Sequence, residues 1–353
     1  MTTPPPPPLA HGAPALARLD ADTATPAIVQ ALRVGAVLAA AEVGIITLTG
    51  PGAVECVQGL LTSDLDKPGD GGFVYGALLT PKGMIVVDGW AARQGAEVRF
   101  TTPAPGEAVA LFTHSVPPRL ARVGDRSADY AVLRLAGLRA LAIAETARLP
   151  VPTQPGRTVS TELDGADVEV ARASEGAPFV LQITLAGDAA PALRERLGRA
   201  GALSSPAAAL ELSRVLAGWP GLASEVDEKT IPQEVRFDEI GGVSYTKGCY
   251  TGQETVSRLH FRGHANRQLR GLEFDAEPQA GATPLVTHQD REVGRVSSVA
   301  WLPESAPGAP LVGRWIGLGV LRREVNPGSM VRAAGVDARV VELPFPLPRL
   351  EPA

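Results

Sequence analysis

The chain has 353 residues, of which 45% are hydrophobic and 20% are charged, a composition typical of globular proteins. This length is too great for one ordinary core and predicts two or three lobes. The formal net charge of −5 argues against general nucleic-acid binding, although it leaves room for a local basic pocket. The two cysteines, Cys56 and Cys249, are too few to hold an iron–sulfur cluster through four thiolates.

The start of the chain predicts no packed structure. Pro4 to Pro8 favour an extended polyproline conformation, and we interpret residues 1–30 as a disordered Pro-rich tail. The chain lacks the pattern of a signal peptide, and no apolar run reaches the length of a membrane-spanning helix. We therefore expect a cytoplasmic protein without membrane contact. A monomer is expected because no heptad pattern indicates a coiled coil.

Residues 31–264 mix strands with helices in an irregular order, which favours an α+β fold over a doubly wound one. A β-hairpin is predicted over 71–90, because two apolar runs flank the turn Thr80-Pro-Lys-Gly83. The other predicted elements are helices at 31–41, 53–61, 107–116, 189–199 and 207–216 and strands at 43–49, 98–102 and 179–185.

After Arg270 the sequence pattern changes to short predicted strands separated by Gly and Pro. Such a pattern is typical of a small β-barrel or sandwich. We place the domain boundary near 263–268, with an α+β region of two subdomains over 31–264 and a barrel over 265–353. Cys56 lies in the predicted helix at 53–61, where burial in the core is the favoured interpretation.

The segment Lys247-Gly-Cys-Tyr-Thr-Gly-Gln-Glu254 is the most informative stretch of the chain. A thiol is nucleophilic only as its thiolate, which a nearby cation favours, and Lys247 and Arg258 are the candidate cations for Cys249. Thr251 is predicted to cap a helix, with Glu254 as its third residue. Cys249 would then lie beside a helix N-terminus, which also favours a thiolate. The alternative is a buried cysteine in a tight turn.

Three carboxylates are further candidates. Asp88 lies in an apolar strand, where a charge is costly unless it is paired or functional. Asp64 follows Thr-Ser and suits a turn hydrogen bond. Glu234 is a candidate acceptor for the edge of a heterocycle, and a solvated surface carboxylate is its alternative interpretation. His260 and His264 have no further ligands nearby, so we expect no metal site.

Together these segments resemble the YgfZ-type folate-binding proteins, relatives of the aminomethyltransferase (T-protein) of the glycine cleavage system. The resemblance extends from about residue 40 to 345, with residues 122–206 matched only by position. The matching segments are 58–64, 75–88, 231–234, 241–245, 247–254, 261–263, 292–298 and 327–329.

The resemblance implies a ring of three subdomains around a channel that holds tetrahydrofolate, together with a C-terminal β-barrel. It also implies a role in the assembly or repair of iron–sulfur clusters, with client enzymes or assembly factors as partners. Glu234 matches a carboxylate that holds the pterin, and Cys249 matches the cysteine that marks the YgfZ branch. We expect Cys249, Lys247 and Asp88 to carry the chemistry. The expected ligand-binding residues are Glu234, Tyr250, Gln253, Glu254, Arg258, Arg262 and Asp64.

Two departures from the aminomethyltransferases weaken the case for glycine cleavage. Val87 precedes a lone Asp88 where those enzymes have adjacent aspartates, and Leu216 replaces the glutamate of a Leu-Glu-Ala-Gly run. Proton transfer needs a correctly placed acid, so its loss disfavours that reaction. A folate-dependent aminomethyl or one-carbon transferase is therefore the second hypothesis, and a non-catalytic scaffold is the third.

Overall fold

The computed structural model describes residues 16–347, except residues 223 and 280. Residues 1–15 of the predicted tail and residues 348–353 of the predicted barrel region lie outside this part of the chain.

The described residues form seven α-helices and 18 β-strands. The helices are α1 Pro26–Val34, α2 Ala53–Gln58, α3 Pro105–Ser115, α4 Ala140–Thr146, α5 Ala190–Arg199, α6 Ala208–Ala217 and α7 Gln253–Arg262. The strands are β1 Ala17–Leu19, β2 Val37–Ala40, β3 Gly44–Thr49, β4 Phe73–Leu79, β5 Ile85–Gln94, β6 Glu97–Thr102, β7 Arg122–Asp125, β8 Tyr130–Ala136, β9 Arg157–Leu163, β10 Ala166–Arg172, β11 Leu181–Ala186, β12 Leu203–Ser204, β13 Arg267–Phe274, β14 Leu285–His288, β15 Arg291–Pro303, β16 Gly313–Arg322, β17 Met330–Ala333 and β18 Val336–Val341.

The first lobe is a five-stranded sheet in the order β4-β5-β6-β3-β7. Its antiparallel pair β4–β5 confirms the predicted hairpin and sets Tyr75 opposite Trp90 and Ala77 opposite Asp88. Gly83 closes the turn with a φ of +88°, a left-handed conformation that glycine adopts without steric cost. The hairpin thereby places an aromatic pair and a carboxylate close together on neighbouring strands.

The second lobe is a six-stranded sheet in the order β12-β2-β8-β11-β10-β9. Helices α4 and α5 contribute Ile143 and Leu193 to a core shared with Leu133 and Ile183 of the sheet. Strands β8 and β11 are antiparallel, and their register sets Arg134 opposite Gln182. Burial of the apolar side chains on one face leaves these two polar residues on the other.

The C-terminal lobe is a closed six-stranded barrel. Its strands run in the order β15-β14-β17-β18-β13-β16, and pairing between β15 and β16 closes the circle. Full closure removes sheet edges that would otherwise be free to pair with other chains. The predicted α+β class with a small C-terminal β-barrel is confirmed.

The expected disorder of residues 1–30 is wrong for the part that the structure describes. Strand β1 pairs in parallel with β15, with Ala17 opposite Ser298. Helix α1 starts after Thr25, whose hydroxyl accepts a hydrogen bond from the backbone N–H of Ile28 at 3.4 Å. A Thr-Pro pair is a helix start signal, and buried side chains at helical spacing follow it. The helix predicted at 31–41 is confirmed only for residues 31–34, because α1 ends at Val34 and β2 follows.

Candidate functional site

A cavity of about 740 Å³, called the central cavity below, lies between the first two lobes. This volume falls within the range of small-molecule sites. Strands β4, β5, β6 and β8 reach its wall, together with α6 and the segment that follows it. The side chains that line it include Tyr75, Asp88, Trp90, Thr101, Arg134, Phe179, Arg214, Trp219 and Leu222.

Aromatic rings form one side of the cavity. Trp90 and Trp219 are stacked with ring centroids 5.9 Å apart and an interplanar angle of 12°. Tyr75 packs against Trp219 at 4.8 Å, and Phe179 packs against Trp90 at 5.1 Å. These rings are held by one another and by the sheets, so they present a rigid apolar surface suited to a flat ligand.

Asp88 is the most deeply buried of the carboxyl groups that line the cavity and is 4% exposed. The Tyr75 hydroxyl donates a hydrogen bond to its Oδ2 atom at 2.8 Å. Burial raises the pKa of Asp88 to about 6, against the opposing effects of the Tyr75 hydrogen bond and the positive charges of Arg214 and Arg134. A carboxyl with this pKa exchanges its proton close to neutral pH, as a general acid or base requires.

The raised pKa of Asp88 makes the stability of the protein depend on pH. The pKa of its carboxyl is near the ordinary value of 3.8 in the unfolded chain and about 6 in the folded one. The contribution of the protonated carboxyl to the free energy of unfolding is therefore fully present below pH ~4 and is lost as the pH rises through ~6. Relative to Asp88→Asn, the wild type is expected to lose up to about 3 kcal/mol of unfolding free energy between pH 4 and 7. Denaturant unfolding of the wild type and of Asp88→Asn, each at both pH values, tests this prediction. If the difference in unfolding free energy between the two proteins is the same at both pH values, the prediction is wrong.

Arg134 reaches the cavity from the second lobe. Its Nε and Nη2 atoms donate to the Gln182 Oε1 atom at 3.2 and 2.9 Å. The guanidinium carbon lies 4.2 Å from the centroid of the Phe179 ring, a cation–π contact. Arg134 of β8 and Asp88 of β5 therefore line the same cavity, where the other lining arginine, Arg214, is paired with Glu211 and Glu225.

Cys249 lies apart from this cavity, in the loop before α7, and is exposed. The alternative of a buried cysteine is therefore wrong. Lys247 is 9% exposed, and its Nζ atom donates to the carbonyls of Gln58, Leu61 and Ser63 at 2.7, 2.7 and 2.9 Å. Burial lowers the pKa of Lys247 to about 8, although the charges of Asp64 and Asp66 oppose this. The ammonium group thus anchors the cysteine loop to the end of α2, and activation of Cys249 by Lys247 stays a prediction.

Helix α7 begins at Gln253, and its N-cap is Gly252 with no side-chain capping bond. The predicted Thr251 cap is therefore wrong. Gly252 has a φ of +82°, and a Cβ added there would lie 2.6 Å from the Thr80 carbonyl oxygen. The close approach of the cysteine loop to the hairpin turn demands glycine at this position, which moves the cap one residue along the chain.

Two glycines of the same segment give a matched test of this contact. Gly252→Ala is expected to lower the free energy of unfolding by about 1–3 kcal/mol, because it combines a strained φ with a backbone clash. A Cβ on Gly248 meets nothing within 4 Å. Gly248→Ala is therefore expected to change stability by less than ~1 kcal/mol. Equal losses in denaturant unfolding would show that the close approach at Gly252 is unimportant.

Glu234 lies outside the central cavity. The Nε and Nη2 atoms of Arg267 donate to its two carboxylate oxygens at 2.9 and 3.0 Å. The pair lines a second cleft of about 720 Å³ at the edge of the barrel, with His264, Arg322 and Arg323 nearby. The carboxylate is thus occupied by a bidentate ion pair, and pterin binding by Glu234 stays a prediction.

Asp64 lines a third cavity of about 930 Å³, which shares Tyr75 with the central one. Partial burial opposes ionisation of Asp64. Hydrogen bonds from the Gln58 side chain and from the backbone N–H groups of Lys67 and Asp66 outweigh this and lower its pKa. Asp64 is therefore a hydrogen-bonded turn carboxylate, as its Thr-Ser-Asp setting predicts.

The remaining predicted ligand residues lie on or beside α7. Tyr250 is buried, and its hydroxyl has no hydrogen-bond partner among the described residues. Gln253 and Glu254 occupy the first turn of α7, and Arg258 and Arg262 are exposed farther along it. None of these side chains lines the central cavity as the structure describes it. Their part in ligand binding stays a prediction.

Sequence reasoning missed several cavity residues. Tyr75 and Trp90 face each other across the predicted hairpin, so cross-strand pairing was a usable signal for both. Phe179 and Trp219 lie in segments without a motif, and Arg134 lies in a stretch matched only by position. Nothing local to those three residues points to a cavity.

A family model described as the GCVT N-terminal domain matches residues 23–240. An aminomethyltransferase of Rubrobacter xylanophilus is 28% identical over 321 residues, which are 86% of this chain and 81% of that protein. A tRNA-modifying protein YgfZ of Cronobacter sakazakii is 29% identical over 232 residues, 63% of this chain and 66% of that protein. Another, of Vibrio vulnificus, is 36% identical over 131 residues, 35% of this chain and 38% of that protein. The matches thus span less than two thirds of both YgfZ proteins.

The fold is shared with a solved structure. The glycine cleavage system aminomethyltransferase T from Bartonella henselae superposes with a TM-score of 0.74 at 19% sequence identity, covering 92% of this chain and 90% of that one. This likeness confirms the predicted aminomethyltransferase-type arrangement of subdomains.

Neither a membrane-spanning helix nor a metal-binding cluster is found among the described residues. No helix there combines the length and apolar character needed to cross a membrane. Within the same residues, no group of three or more His, Cys, Asp or Glu side chains is placed to hold a metal ion.

Proposed function

Because the chain belongs to the family of the GCVT N-terminal domain and is a YgfZ-type, aminomethyltransferase-like protein, we propose that it binds tetrahydrofolate in the central cavity and supports iron–sulfur cluster assembly or repair in client enzymes. The observation that carries the proposal is the cavity of about 740 Å³, with stacked aromatic walls and a buried carboxyl. A flat heterocycle that carries N–H donors suits such a site.

The described side chains fit the pterin group of a folate. Tyr75, Trp90 and Trp219 would pack against the ring, and Asp88 would accept a hydrogen bond from a ring N–H or amino group. Tetrahydrofolate, when bound, supplies a carrier for one-carbon groups. The aromatic walls and buried position also exclude water from Asp88, which strengthens its electrostatic interaction with a ligand.

We propose that Cys249 is the group that meets the client protein, since it is exposed and lies outside the cavity. Ligand binding and client contact would then occur at different places on the molecule. The YgfZ relatives are named as tRNA-modifying proteins, and we extend the proposal to cytoplasmic clients that modify tRNA.

Activity of cluster enzymes in cells tests this function. In a host whose own copy of the gene is deleted, the wild-type protein is expected to raise the activity of an iron–sulfur enzyme. The activity of an enzyme without a cluster should not change. Asp88→Ala should restore less of the cluster enzyme's activity than the wild type does. Glu195→Ala, which removes an exposed ion pair on α5, should restore as much of that activity as the wild type. If the wild type leaves the cluster enzyme unchanged, the proposed function is wrong.

A folate-dependent aminomethyl or one-carbon transferase is the alternative. The match to the Rubrobacter aminomethyltransferase across 86% of this chain favours it, as does the pKa of about 6 at Asp88. Val87 and Leu216 stand against it, where the aminomethyltransferases have carboxylates. The test is release of ammonia from an aminomethylated lipoyl carrier in the presence of tetrahydrofolate. If ammonia is released no faster with the protein than without it, this function is excluded. If the protein accelerates ammonia release and Asp88→Asn lowers that rate, this function is established.

A further inference from the structure

Arg134 and Arg214 both line the cavity, and Arg214 is paired with Glu211 and Glu225, whereas Arg134 forms no ion pair with a described residue. It comes from β8 of the second lobe, whereas Asp88 comes from β5 of the first. Burial lowers the pKa of Arg134 to about 10, against the opposing charge of Asp88. Since keeping a guanidinium in such a place is costly, its hydrogen-bonding groups need partners.

Three contacts fix the position of the guanidinium. Its Nε and Nη2 atoms both donate to the Oε1 atom of Gln182, which is 1% exposed. The Gln182 Nε2 atom in turn donates to the Thr101 hydroxyl at 3.3 Å, which fixes the amide. The face of the guanidinium lies over the Phe179 ring at 4.2 Å. The group is therefore held before any ligand arrives.

These contacts leave the Nη1 atom of Arg134 without a hydrogen bond to any described residue, although the side chain lines the cavity. Asp88 lines the same cavity with the opposite hydrogen-bonding character. A donor and an acceptor thus face one space from two different sheets. A ligand that satisfies both must carry a hydrogen-bond acceptor and a hydrogen-bond donor on one ring system.

We propose that Arg134 recognises the cyclic-amide group of the ligand, with Nη1 donating to the ring carbonyl oxygen while Asp88 accepts from a ring N–H or amino group. This inference rests on the proposed folate binding and deepens it, because it identifies the ligand group that is recognised and the residue that recognises it. A ring with an amino group in place of the carbonyl presents a donor to the Arg134 donor. Such a ligand leaves the guanidinium unpaired and is rejected.

Calorimetric titration with two matched ligands tests the role of Arg134. The ligands are tetrahydrofolate and its 4-amino analogue, tetrahydroaminopterin, which differ at the carbonyl position. The ratio of the two affinities is expected to fall by ~10-fold or more in Arg134→Met, since this variant removes a charge-assisted hydrogen bond to the carbonyl oxygen. The fall should come from weaker binding of tetrahydrofolate.

Arg172→Met is the matched control, because Arg172 is a half-buried arginine of the same sheet that bonds to the Pro152 and Thr153 carbonyls and lines none of the three cavities. Arg172→Met should keep the wild-type ratio of the affinities for the two ligands. If Arg134→Met does not fold, Arg134→Gln replaces it with the same expected change.

The outcomes separate the two proposals. If tetrahydrofolate binds the wild type and the affinity ratio is the same in Arg134→Met, the role of Arg134 is wrong while folate binding stands. If neither ligand binds the wild type, folate binding is wrong and the role of Arg134 falls with it.

Discussion

Replacing Cys249 with serine is expected to abolish client support while tetrahydrofolate binding and the fold stay unchanged. Cys249 is exposed and does not line the cavity, so its loss removes no contact to the ligand. Serine keeps the size of the side chain, but its hydroxyl is a much weaker nucleophile than a cysteine sulfur. Activity of a cluster enzyme in the gene-deleted host should therefore match that of the host alone.

Cys56→Ser is the matched control for this variant. Cys56 is half-buried against the core of the first lobe, and burial followed by the charge of Glu55 raises the pKa of its thiol. Its replacement should cost stability on the order of 1 kcal/mol and leave client support intact. Full restoration of the cluster enzyme by Cys249→Ser would refute the role given to this thiol.

Truncation of Glu225 to alanine is expected to lower the free energy of unfolding by about 3–5 kcal/mol. The side chain is 0% exposed, and its Oε2 atom accepts from Arg214 and from the backbone N–H of Gly221, both at 2.8 Å. The Oε1 atom accepts from the hydroxyls of Ser297 and Ser298 at 2.8 and 2.7 Å. This network joins α6 to strand β15 of the barrel, so its removal leaves a buried cation and two hydroxyls short of a partner.

Denaturant unfolding with two further variants makes this prediction specific. Glu195→Ala removes an exposed ion pair with Arg199 and should change stability by less than ~1 kcal/mol. The double variant Arg214→Met with Glu225→Leu should lose less unfolding free energy than Glu225→Ala alone, because it leaves no unpaired buried charge. A loss below ~1 kcal/mol in Glu225→Ala would mean that the network does not hold the barrel in place.

Local patterns in the sequence predicted the elements whose signals lie within a few residues. The β4–β5 hairpin followed from a Pro-Lys-Gly turn between apolar runs, and the barrel from short strands with regular Gly and Pro. The start of helix α1 was predicted five residues too late although Thr25 and Pro26 mark it, because the proline run before it favours an unpacked tail. Strand β1 could not be predicted, since its partner β15 lies about 280 residues away in the chain.

The candidate site was predictable only in part for the same reason. Asp88 stood out because a carboxyl is costly in an apolar strand, and the structure places it in the cavity. Trp219, Phe179 and Arg134 reach that cavity from separate segments, and only tertiary packing brings them to Asp88. The ion pair that occupies Glu234 likewise depends on Arg267, 33 residues farther along the chain.

Calorimetric titration of tetrahydrofolate into the purified protein tests the central claim most directly, because that claim is that the cavity around Asp88 holds a folate. Saturable binding with a dissociation constant in the mid-micromolar range is expected, which corresponds to roughly 6–7 kcal/mol. Asp88→Ala should bind at least ~10-fold more weakly, and Cys249→Ser should bind as the wild type does. Absence of heat at millimolar ligand, or equal affinity in Asp88→Ala, would contradict the account.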